Sequence, residues 1–363
     1  MDRNKDNYCI ILAGGKGRRL WPCSRENCPK QFIDFFGTGR TQLQSTYYRF
    51  ANFIPQDNIL VTTNEDYADL LNEQLPQLSR DNAVLEPVAR NTAPSVAAAT
   101  LRIAHRNPNA RIIIAPSDQY VKDEDVFTQN ILHALDIVGQ HDMLLTLGVK
   151  PARPEPGYGY IQLGDLTDCN GIYHVKSFTE KPEREFAKVF VDSGEFYWNV
   201  GMFLSNVKNL GRALYHIFPD LISVEQEKEG GNSFEERMAF IKKNYDTFPN
   251  IPIDSSLFEH GENVCVMKCD FGWADLGTWH SMYEFMRRSD KDNVLINTQA
   301  LLENCKDNII KLPEGKLAVI SGLDGYIVAE KDNVLFICKK GDSSALVRKY
   351  VNEVQIRFGD DYL

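Results

Sequence analysis

A short apolar run that ends abruptly in glycines is the feature that most constrains the fold of this chain. Residues 8–12 are Tyr-Cys-Ile-Ile-Leu, and residues 13–17 follow as Ala-Gly-Gly-Lys-Gly. An apolar run of this length bounded by glycines predicts a buried β-strand. Glycines lack Cβ, so backbone N–H groups can approach an anion, and a helix beginning just behind them would add its positive dipole end. Because Arg18, Arg19 and Lys30 follow closely, the segment predicts a phosphate-binding loop.

Two well-known nucleotide-binding loops do not match this segment. The P-loop requires a Gly-Lys-Ser/Thr ending that is missing here. The dinucleotide-binding motif requires a third glycine at the position of Leu20. An ordinary glycine-rich turn between a strand and a helix is the alternative interpretation.

The order of apolar runs over the first 150 residues predicts an α/β fold. Strand patterns alternate with helical patterns, and the strand at residues 111–115 is apolar on both faces, as parallel sheets require. This alternation predicts a mostly parallel sheet sandwiched by helices, with ligands at the carboxyl ends of the strands. The predicted strands are 59–63, 83–86, 111–115 and 144–149, and the predicted helices are 66–75, 94–105 and 126–138.

The pattern changes twice in the second half of the chain. After residue 150 it becomes mixed, with an extended segment at 175–178 and a helix at 182–191. From about residue 293, short β-rich runs are separated by Gly, Asp and Asn turns, and a short helix at 344–351 closes the chain. We therefore expect a catalytic domain at 1–290 and a small all-β domain at 291–363, whose strand faces suit packing and a homodimer interface equally. The predicted C-terminal strands are 308–312, 316–321, 326–329 and 334–338.

The composition argues against several classes of protein. The formal net charge of −10 argues against nucleic-acid binding, so an anionic substrate would depend on local charge. No apolar stretch approaches the length of a membrane span, and the polar first seven residues argue against a signal peptide. The eight cysteines are scattered, with no Cys-x-x-Cys pair, which argues against a disulfide framework or a zinc site. We expect a cytoplasmic protein with no nucleic-acid or membrane partner.

Two aspartates follow predicted strands or turns at places suited to an active site. Asp118 directly follows the most apolar strand, where it is either a metal ligand or a helix cap. Asp275 lies in Phe-Gly-Trp-Ala-Asp-Leu-Gly-Thr-Trp, residues 271–279. This segment is either a tight turn held by aromatic residues or the source of a second magnesium ligand, since magnesium prefers one or two carboxylates plus substrate phosphates.

Several motifs together resemble a known family. Residues 12–20, Leu-Ala-Gly-Gly-Lys-Gly-Arg-Arg-Leu, resemble the Leu-Ala-Gly-Gly-x-Gly-x-Arg-Leu signature of sugar-1-phosphate nucleotidylyltransferases, which has a lysine downstream. Trp-Pro at 21–22 and Pro-Lys-Gln-Phe at 29–32 are similar to the mannose-1-phosphate guanylyltransferase branch. The resemblance implies a Rossmann-like nucleotidyltransferase fold with a β-helix-like C-terminal region. It also implies catalytic roles for Arg18 and Lys30, and nucleotide binding by Leu12, Ala13, Gly14, Gly15, Gly17 and Ser117.

The same resemblance implies a metal site. The family has one aspartate in a Pro-Ser/Ala-Asp segment and another in a Phe-x-Trp-x-Asp segment, and the two hold the metal jointly. The matches here are Asp118 and Asp275, so Mg²⁺ is the expected cofactor. Gln119 stands where the family commonly has histidine, at a position that is not itself a metal ligand.

A third segment resembles the part of the family that binds guanine. Residues 86–94 are Glu-Pro-Val-Ala-Arg-Asn-Thr-Ala-Pro, close to the Glu-Pro-x-x-x-Asn-Thr-Ala-Pro motif of guanylyltransferases. A carboxylate such as Glu86 and an amide such as Asn91 suit the edge of guanine, which offers N–H donors and a carbonyl acceptor. Arg90 and Asn91 could instead cap the helix that follows.

Three more clusters resemble the sugar-binding motifs of the family. They lie at 151–161, 178–182 and 198–203, and they contain Pro-Glu-Pro-Gly-Tyr-Gly-Tyr-Ile, Glu-Lys-Pro and Trp-Asn-Val-Gly-Met-Phe. Glu180 and Asn199 can hydrogen-bond to sugar hydroxyls, and Lys181 can neutralise the sugar phosphate. The backbone of Gly159 can also contact the sugar, so the predicted contacts are Gly159, Glu180, Lys181 and Asn199. The stretch 251–260 keeps Asp254 of the family's Ile-x-x-Asp-Tyr-Ala-x-Met-Glu-Lys pattern but replaces its Tyr, Met and Lys.

The resemblance implies one reaction above others. GTP and α-D-mannose 1-phosphate, the expected substrates, would give GDP-mannose and pyrophosphate. Two alternatives stay open at this point. The chain could act on another sugar 1-phosphate, or it could be a non-catalytic subunit that binds a nucleotide sugar. The second alternative predicts loss of a cationic or metal-binding residue, and Arg18, Lys30, Asp118 and Asp275 are all present.

Overall fold

The computed structural model describes residues 4–219, 233–260, 263–341 and 343–363. Over these residues, strands and helices alternate through most of the first half of the chain, and short strands dominate the last quarter. The strands are β1 Asn7–Leu12, β2 Ile59–Asn64, β3 Ala83–Glu86, β4 Arg111–Pro116, β5 Gln119–Val121, β6 Leu144–Val149, β7 Tyr160–Leu166, β8 Ile172–Thr179, β9 Phe196–Asn206, β10 Val264–Cys269, β11 Trp273–Asp275, β12 Val294–Leu295, β13 Gln299–Glu303, β14 Ile309–Lys311, β15 Leu317–Ser321, β16 Tyr326–Lys331 and β17 Val334–Lys339. The helices are α1 Gln42–Ala51, α2 Ala68–Gln74, α3 Ala93–Arg106, α4 Glu124–Gln140, α5 Arg184–Ser193, α6 Val207–Ile217, α7 Phe234–Asn244, α8 Ile253–His260, α9 Trp279–Met286 and α10 Ser343–Phe358.

The central sheet has the strand order β3-β2-β1-β4-β9-β6-β10-β8-β7. β1 lies between β2 and β4 and runs parallel to both. β9 pairs antiparallel with both β4 and β6. The predicted α/β class with a mostly parallel sheet is confirmed, because seven of the nine strands run in the same direction. β9 in the middle and β8 near one edge run against their neighbours. The carboxyl ends of β1, β2, β3 and β4 consequently meet at one edge.

Helices cover both faces of this sheet, as the alternation of elements predicted. On one face, buried side chains of α1, α2 and α4 pack against Cys9, Ile11 and Val61. On the other, α3, α6 and α8 pack against Ile10, Leu60 and Ile112. The two faces of β1 therefore belong to two different apolar clusters, which is why its sequence is apolar at successive positions.

The prediction of a helix directly behind the glycines is wrong. A 3-10 turn at Arg18–Leu20 follows the loop instead, and the first α-helix begins at Gln42. Pro22 and Pro29 have no backbone N–H to continue a helix, and Gly17 adopts the left-handed conformation at φ 64°. Charge at the loop therefore comes from side chains rather than from the end of a helix.

The C-terminal region is strand-rich and resembles a flattened β-helix. β12, β14 and β16 form one parallel ladder that β17 extends, and β13 pairs in parallel with β15. The closing helix is longer than the predicted 344–351, because α10 runs over Ser343–Phe358. Val347 and Val351 of this helix share an apolar cluster with Leu20 and Trp21 of the first loop. The region is therefore packed directly behind the glycine-rich segment.

Two further findings bear on the composition. In the part of the chain that the structure describes, no helix is long and apolar enough to cross a membrane. All eight cysteines are free thiols, as their scattered positions predicted.

Candidate active site

The glycine-rich loop begins where β1 ends and is held in shape by two neighbouring side chains. Gln31 donates from Nε2 to the carbonyl oxygens of Ala13 and Gly15 at 2.7 and 2.9 Å. The Thr63 hydroxyl donates to the Ala13 carbonyl at 2.9 Å. Ala13 itself is 1% exposed, and its carbonyl oxygen anchors the loop; its role in nucleotide binding stays a prediction.

Gly17 shapes the turn rather than lining a cavity. Its φ of +64° favours glycine, and a Cβ at this position would overlap Ser24 Oγ and lie 3.0 Å from Lys30 Cγ. The absence of a side chain at Gly17 thus allows Lys30 to pass close to the loop. Its predicted role is better described as placing the lysine.

A cavity of about 400 Å³ opens beside this loop. Its wall combines the glycine loop, the end of β4, and the segment after β3, as expected for the carboxyl edge of a parallel sheet. Eight predicted site residues line it: Leu12, Gly14, Gly15, Lys30, Glu86, Asn91, Ser117 and Asp118.

Four charged side chains converge beside this cavity, and two of them, Lys30 and Asp118, line it. Lys30 pairs with Asp118, and both side chains are 13% exposed. A Cβ on Gly277 would lie 2.8 Å from Asp275 Oδ1, 3.1 Å from Lys30 Nζ and 3.2 Å from Arg19 Nη2. Glycine at 277 therefore leaves room for a carboxylate and two cations to approach the same point.

A two-stranded ribbon brings the predicted metal ligands together. β5 and β11 pair antiparallel, with Asp275 opposite Gln119, the residue after Asp118. The Gly277 N–H donates to Asp275 Oδ1 at 2.8 Å, which fixes that carboxylate. Asp118 lies in the turn just before β5 and Asp275 at the end of β11, so the pairing of these two strands brings together two aspartates that are far apart along the chain.

The residues at this point fit a magnesium ion. Two carboxylates supply hard oxygen ligands, and magnesium commonly adds only one or two carboxylates to substrate phosphates and water. Among the residues that the structure describes, no group of three or more His, Cys, Asp and Glu side chains could hold a metal. The remaining ligands would therefore come from substrate and solvent.

The structure distinguishes the two neighbouring arginines. Arg18, predicted as catalytic, donates to Glu26 from Nε at 3.1 Å and from Nη2, and Lys16 pairs with the same carboxylate. Partial burial raises the pKa of Glu26, but the hydrogen bonds from Arg18 and Lys16 outweigh it and lower that pKa below its usual range. Within the described ranges, Arg19 has no such partner. Arg19, rather than Arg18, therefore presents a free cation beside Lys30.

Glu86 is the last residue of β3 and lines the same cavity; β2 and β1 separate β3 from β4, which precedes Asp118. Glu86 faces Gly14. Its Oε1 would be 3.3 Å from a Cβ on that glycine, and the residue is 5% exposed. Burial raises the pKa of Glu86 to about 7, against the opposing effect of the Tyr245 and Ser95 hydroxyls. Asn91 also lines this cavity and has φ 61°, a left-handed conformation that asparagine tolerates. A carboxyl group and an amide thus line the same cavity as Lys30 and Asp118.

The four residues predicted to bind the sugar are brought together around Asp254. Gly159 accepts from the Asn199 N–H at 2.8 Å, and a Cβ on Gly159 would lie 2.7 Å from Glu180 Oε2. Lys181 pairs with Glu180 and is half exposed. Burial and the nearby Glu180 carboxylate raise the pKa of Asp254 to about 6, while the side-chain hydrogen bond from Asn199 lowers it.

Hydrogen bonds fix the orientation of the Asn199 side chain. Its Oδ1 accepts from the Thr146 hydroxyl and from the Gly201 N–H, both at 3.0 Å. Its amide nitrogen is therefore directed toward Asp254, which also lines the cavity next to Gly201. Asp254 thus connects the sugar-binding residues with the nucleotide cavity.

The sequence interpretation gives no individual role to three residues that the structure brings to the site: Arg19, Asp254 and Gln31. Arg19 was visible in principle, because the family signature aligned from Leu12 places its arginine at 19 and not at 18. Asp254 was noted as a retained motif residue but given no role. Gln31 belongs to the Pro-Lys-Gln-Phe motif, and its buried contacts with the loop explain why an amide is needed there.

This combination of a glycine loop, paired carboxylates and free cations on an α/β sheet is found in nucleotide-handling enzymes. The chain belongs to the nucleotidyl transferase family, whose family model matches residues 8–292. It is therefore an enzyme of that type, as the motifs predicted.

The similar proteins narrow the family further. A mannose-1-phosphate guanylyltransferase from Escherichia coli is 33% identical over 96% of this chain and 75% of the relative. One from Salmonella montevideo is 35% identical over 90% of this chain and 69% of the relative. A solved structure named mannose-1-phosphate geranyltransferase, from Thermus thermophilus, is similar with a TM-score of 0.83 and 27% identity, covering 96% of this chain and 99% of that one. These likenesses confirm the family resemblance and the fold class.

Proposed function

We propose that the protein transfers GMP from GTP to α-D-mannose 1-phosphate, giving GDP-mannose and pyrophosphate. The observation that carries the proposal is that Lys30 and Asp118, beside which Arg19 and Asp275 converge, line the same cavity as Glu86 and Asn91. In the sheet, β2 and β1 separate β3, which ends at Glu86, from β4, which precedes Asp118. That order suits a nucleotide lying along the cavity with its base away from its phosphates. The named relatives in the previous section support guanine and mannose as the base and the sugar.

The reaction needs little covalent chemistry from the protein. An oxygen of the sugar phosphate attacks the α-phosphorus of GTP in line, the new P–O bond forms, and the bond to the β-phosphate oxygen breaks to release pyrophosphate. Because the nucleophile is already an anion, no strong general base is required. The protein therefore contributes by orienting the two substrates and by neutralising charge.

Arg19 and Lys30 carry the cationic part of this role. Charge increases on the α-phosphate and on the departing pyrophosphate in the transition state, and preorganised cations stabilise it most where water is excluded. Lys30 is mostly buried, and its pairing with Asp118 holds it at the mouth of the cavity before substrate arrives. Bound Mg²⁺, held by Asp118 and Asp275, would supply further charge neutralisation between the phosphates of the two substrates.

The sugar end of the site consists of Gly159, Glu180, Lys181 and Asn199, with Asp254 added. Burial, together with the nearby Glu180 carboxylate, raises the pKa of Asp254 to about 6. Carboxyl groups of this kind accept hydrogen bonds from sugar hydroxyls. Lys181 is half exposed and is free to turn toward a sugar phosphate.

Pyrophosphate release tests the proposal directly. The purified chain with Mg²⁺ is assayed with each of GTP, ATP, UTP and dTTP against mannose, glucose, galactose and fucose 1-phosphates. We expect GTP with mannose 1-phosphate to give the highest kcat/KM. Preference for another pair would replace the substrate assignment, and no turnover with any pair would support the non-catalytic alternative.

Metal dependence is tested with Asp275→Asn. This variant keeps the Gly277 N–H contact through the amide oxygen but loses one negative ligand. We expect an unchanged melting temperature and a loss of most turnover. Normal activity at limiting Mg²⁺ would refute the metal assignment.

We further propose that residues 1–290 form the catalytic domain and 291–363 the C-terminal domain of a cytoplasmic enzyme. A homodimer stays a prediction. The surface to examine is the outer face of β13 and β15, where Leu301, Leu317 and Val319 are 63%, 65% and 70% exposed. Multi-angle light scattering of the wild type and of Leu301→Lys tests it, since a dimer formed there would dissociate.

A further inference from the structure

Three aromatic side chains from separate segments meet beneath the site. Tyr158 comes from the loop before β7, Trp198 from β9 and Trp273 from β11. The Tyr158 ring lies 5.1 Å from Trp198 and 5.0 Å from Trp273, edge-on to both. The exposed fractions of the three are 7%, 4% and 9%. We call these three residues the aromatic cluster.

Each member of the aromatic cluster adjoins a residue of the site. Tyr158 precedes Gly159, Trp198 precedes Asn199, and Trp273 lies two residues before Asp275. Two of these neighbours belong to the sugar end and the third belongs to the proposed metal site. The cluster therefore joins two parts of the site that no single element spans.

The Tyr158 hydroxyl makes the polar connection within this cluster. It donates to the backbone carbonyl oxygen of Asp275 at 3.4 Å. The Gly277 N–H binds the Asp275 side chain, whereas the Tyr158 hydroxyl binds its backbone. Tyr158 therefore connects this aspartate to the loop that carries Gly159.

We propose that Tyr158 is a positioning residue that aligns Asp275 with the sugar-binding loop, and so couples divalent-cation binding to the sugar end of the site. The proposal rests on the guanylyl transfer proposed above. In-line attack requires the attacking oxygen of the sugar phosphate to lie about 3–3.5 Å from the α-phosphorus, and a misplacement of about 1 Å greatly slows the reaction. A hydrogen bond from the sugar loop to the backbone of a metal ligand maintains that alignment without touching either substrate.

Tyr158→Phe tests the proposal, because it removes the hydroxyl and keeps the ring contacts with both tryptophans. Cation binding is measured without substrate, by titrating Mn²⁺ and following its free signal by electron paramagnetic resonance. We expect Mn²⁺ affinity to fall about two- to tenfold, the range of a single hydrogen bond. In pyrophosphate release, kcat should fall by a similar factor and half-saturating Mg²⁺ should rise, while KM for GTP stays unchanged.

Tyr160→Phe is the matched control. Tyr160 is also buried, and its hydroxyl accepts from the Glu155 N–H at 2.9 Å, while its ring packs against Phe190. This variant loses a comparable hydroxyl with no contact to Asp275, so its Mn²⁺ affinity should equal that of the wild type.

The outcomes separate this proposal from the proposed function. Wild-type Mn²⁺ affinity in Tyr158→Phe, or an equal loss in Tyr160→Phe, would overturn the positioning role, even if both variants melt at lower temperature. A selective loss in Tyr158→Phe would support it. If the wild type turned over no GTP with mannose 1-phosphate yet Tyr158→Phe still weakened Mn²⁺ binding, the reaction assignment would fail and the link to Asp275 would stand.

Discussion

Replacing Arg19 with alanine is expected to lower kcat/KM for guanylyl transfer about 10- to 100-fold, whereas Arg18→Ala should lower it by less than about fivefold. The guanidinium of Arg19 converges with Lys30 and Asp275 at the position of Gly277 and has no partner among the described residues. A hydrogen bond from a charged donor to a phosphate contributes about 1.5–3 kcal/mol, which gives the larger range. The loss should appear mainly in kcat, because charge on the phosphates increases in the transition state.

The smaller effect of Arg18→Ala follows from its surroundings. Arg18 and its partner Glu26 are 37% and 35% exposed, and an ion pair this open to solvent contributes at most about 1 kcal/mol. The assay is steady-state pyrophosphate release with GTP and mannose 1-phosphate varied in turn, alongside a melting curve for each variant.

Arg19→Lys refines this comparison. It keeps the charge but loses the planar fork of donors, so it should recover only part of the lost rate. If Arg18→Ala lost as much activity as Arg19→Ala, the assignment of the catalytic cation to Arg19 would be refuted. An Arg19→Ala variant with full activity would refute it equally.

Three further predictions concern the same region. Gly17→Ala should lower the free energy of unfolding by about 1–3 kcal/mol in urea titrations, because alanine is strained at φ +64° and its Cβ meets Ser24; equal stability would show that the turn relaxes. Glu26→Gln should lower KM for GTP about two- to fivefold, since the carboxylate that competes for Lys16 and Arg18 is gone; an unchanged KM would contradict this. Because the pKa of Glu86 is raised to about 7 in the fold, wild-type stability should fall from about pH 4.5 to about pH 7 as this group ionises. The advantage of Glu86→Gln over the wild type in melting temperature should therefore grow between about pH 4.5 and about pH 7 and stay constant above that range. A difference independent of pH would refute the shifted pKa.

The parts of the fold that were predictable have strong local signals. β6 occupies residues 144–149 as predicted, and α3 covers the predicted helix at 94–105, because each is a continuous apolar or alanine-rich run. The direction of β9 was not predictable. Its antiparallel placement between β4 and β6 depends on pairing between strands far apart in sequence, and no residue within 196–206 encodes it.

The same distinction holds for the site. The glycine loop and both aspartates are recognisable because their motifs are contiguous. The signature aligned from Leu12 already distinguishes Arg19 from Arg18. The 3-10 turn at Arg18–Leu20 supplies the physical reason, because successive side chains in it point about 120° apart. The role of Asp254 required the fold to bring α8 beside Asn199, which local sequence does not specify.

The packing between the first loop and the end of the chain affects how the enzyme can be shortened. Leu20, Trp21 and Trp279 belong to one apolar cluster with side chains of the C-terminal region, and the Trp21 indole N–H donates to the Tyr362 carbonyl at 2.7 Å. A polypeptide cut at residue 290 would expose this cluster to water beside the phosphate loop, and contiguous exposed apolar surface promotes aggregation. We therefore expect the truncated protein to precipitate during expression, so that residues 291–363 are required for solubility before any question of catalysis arises.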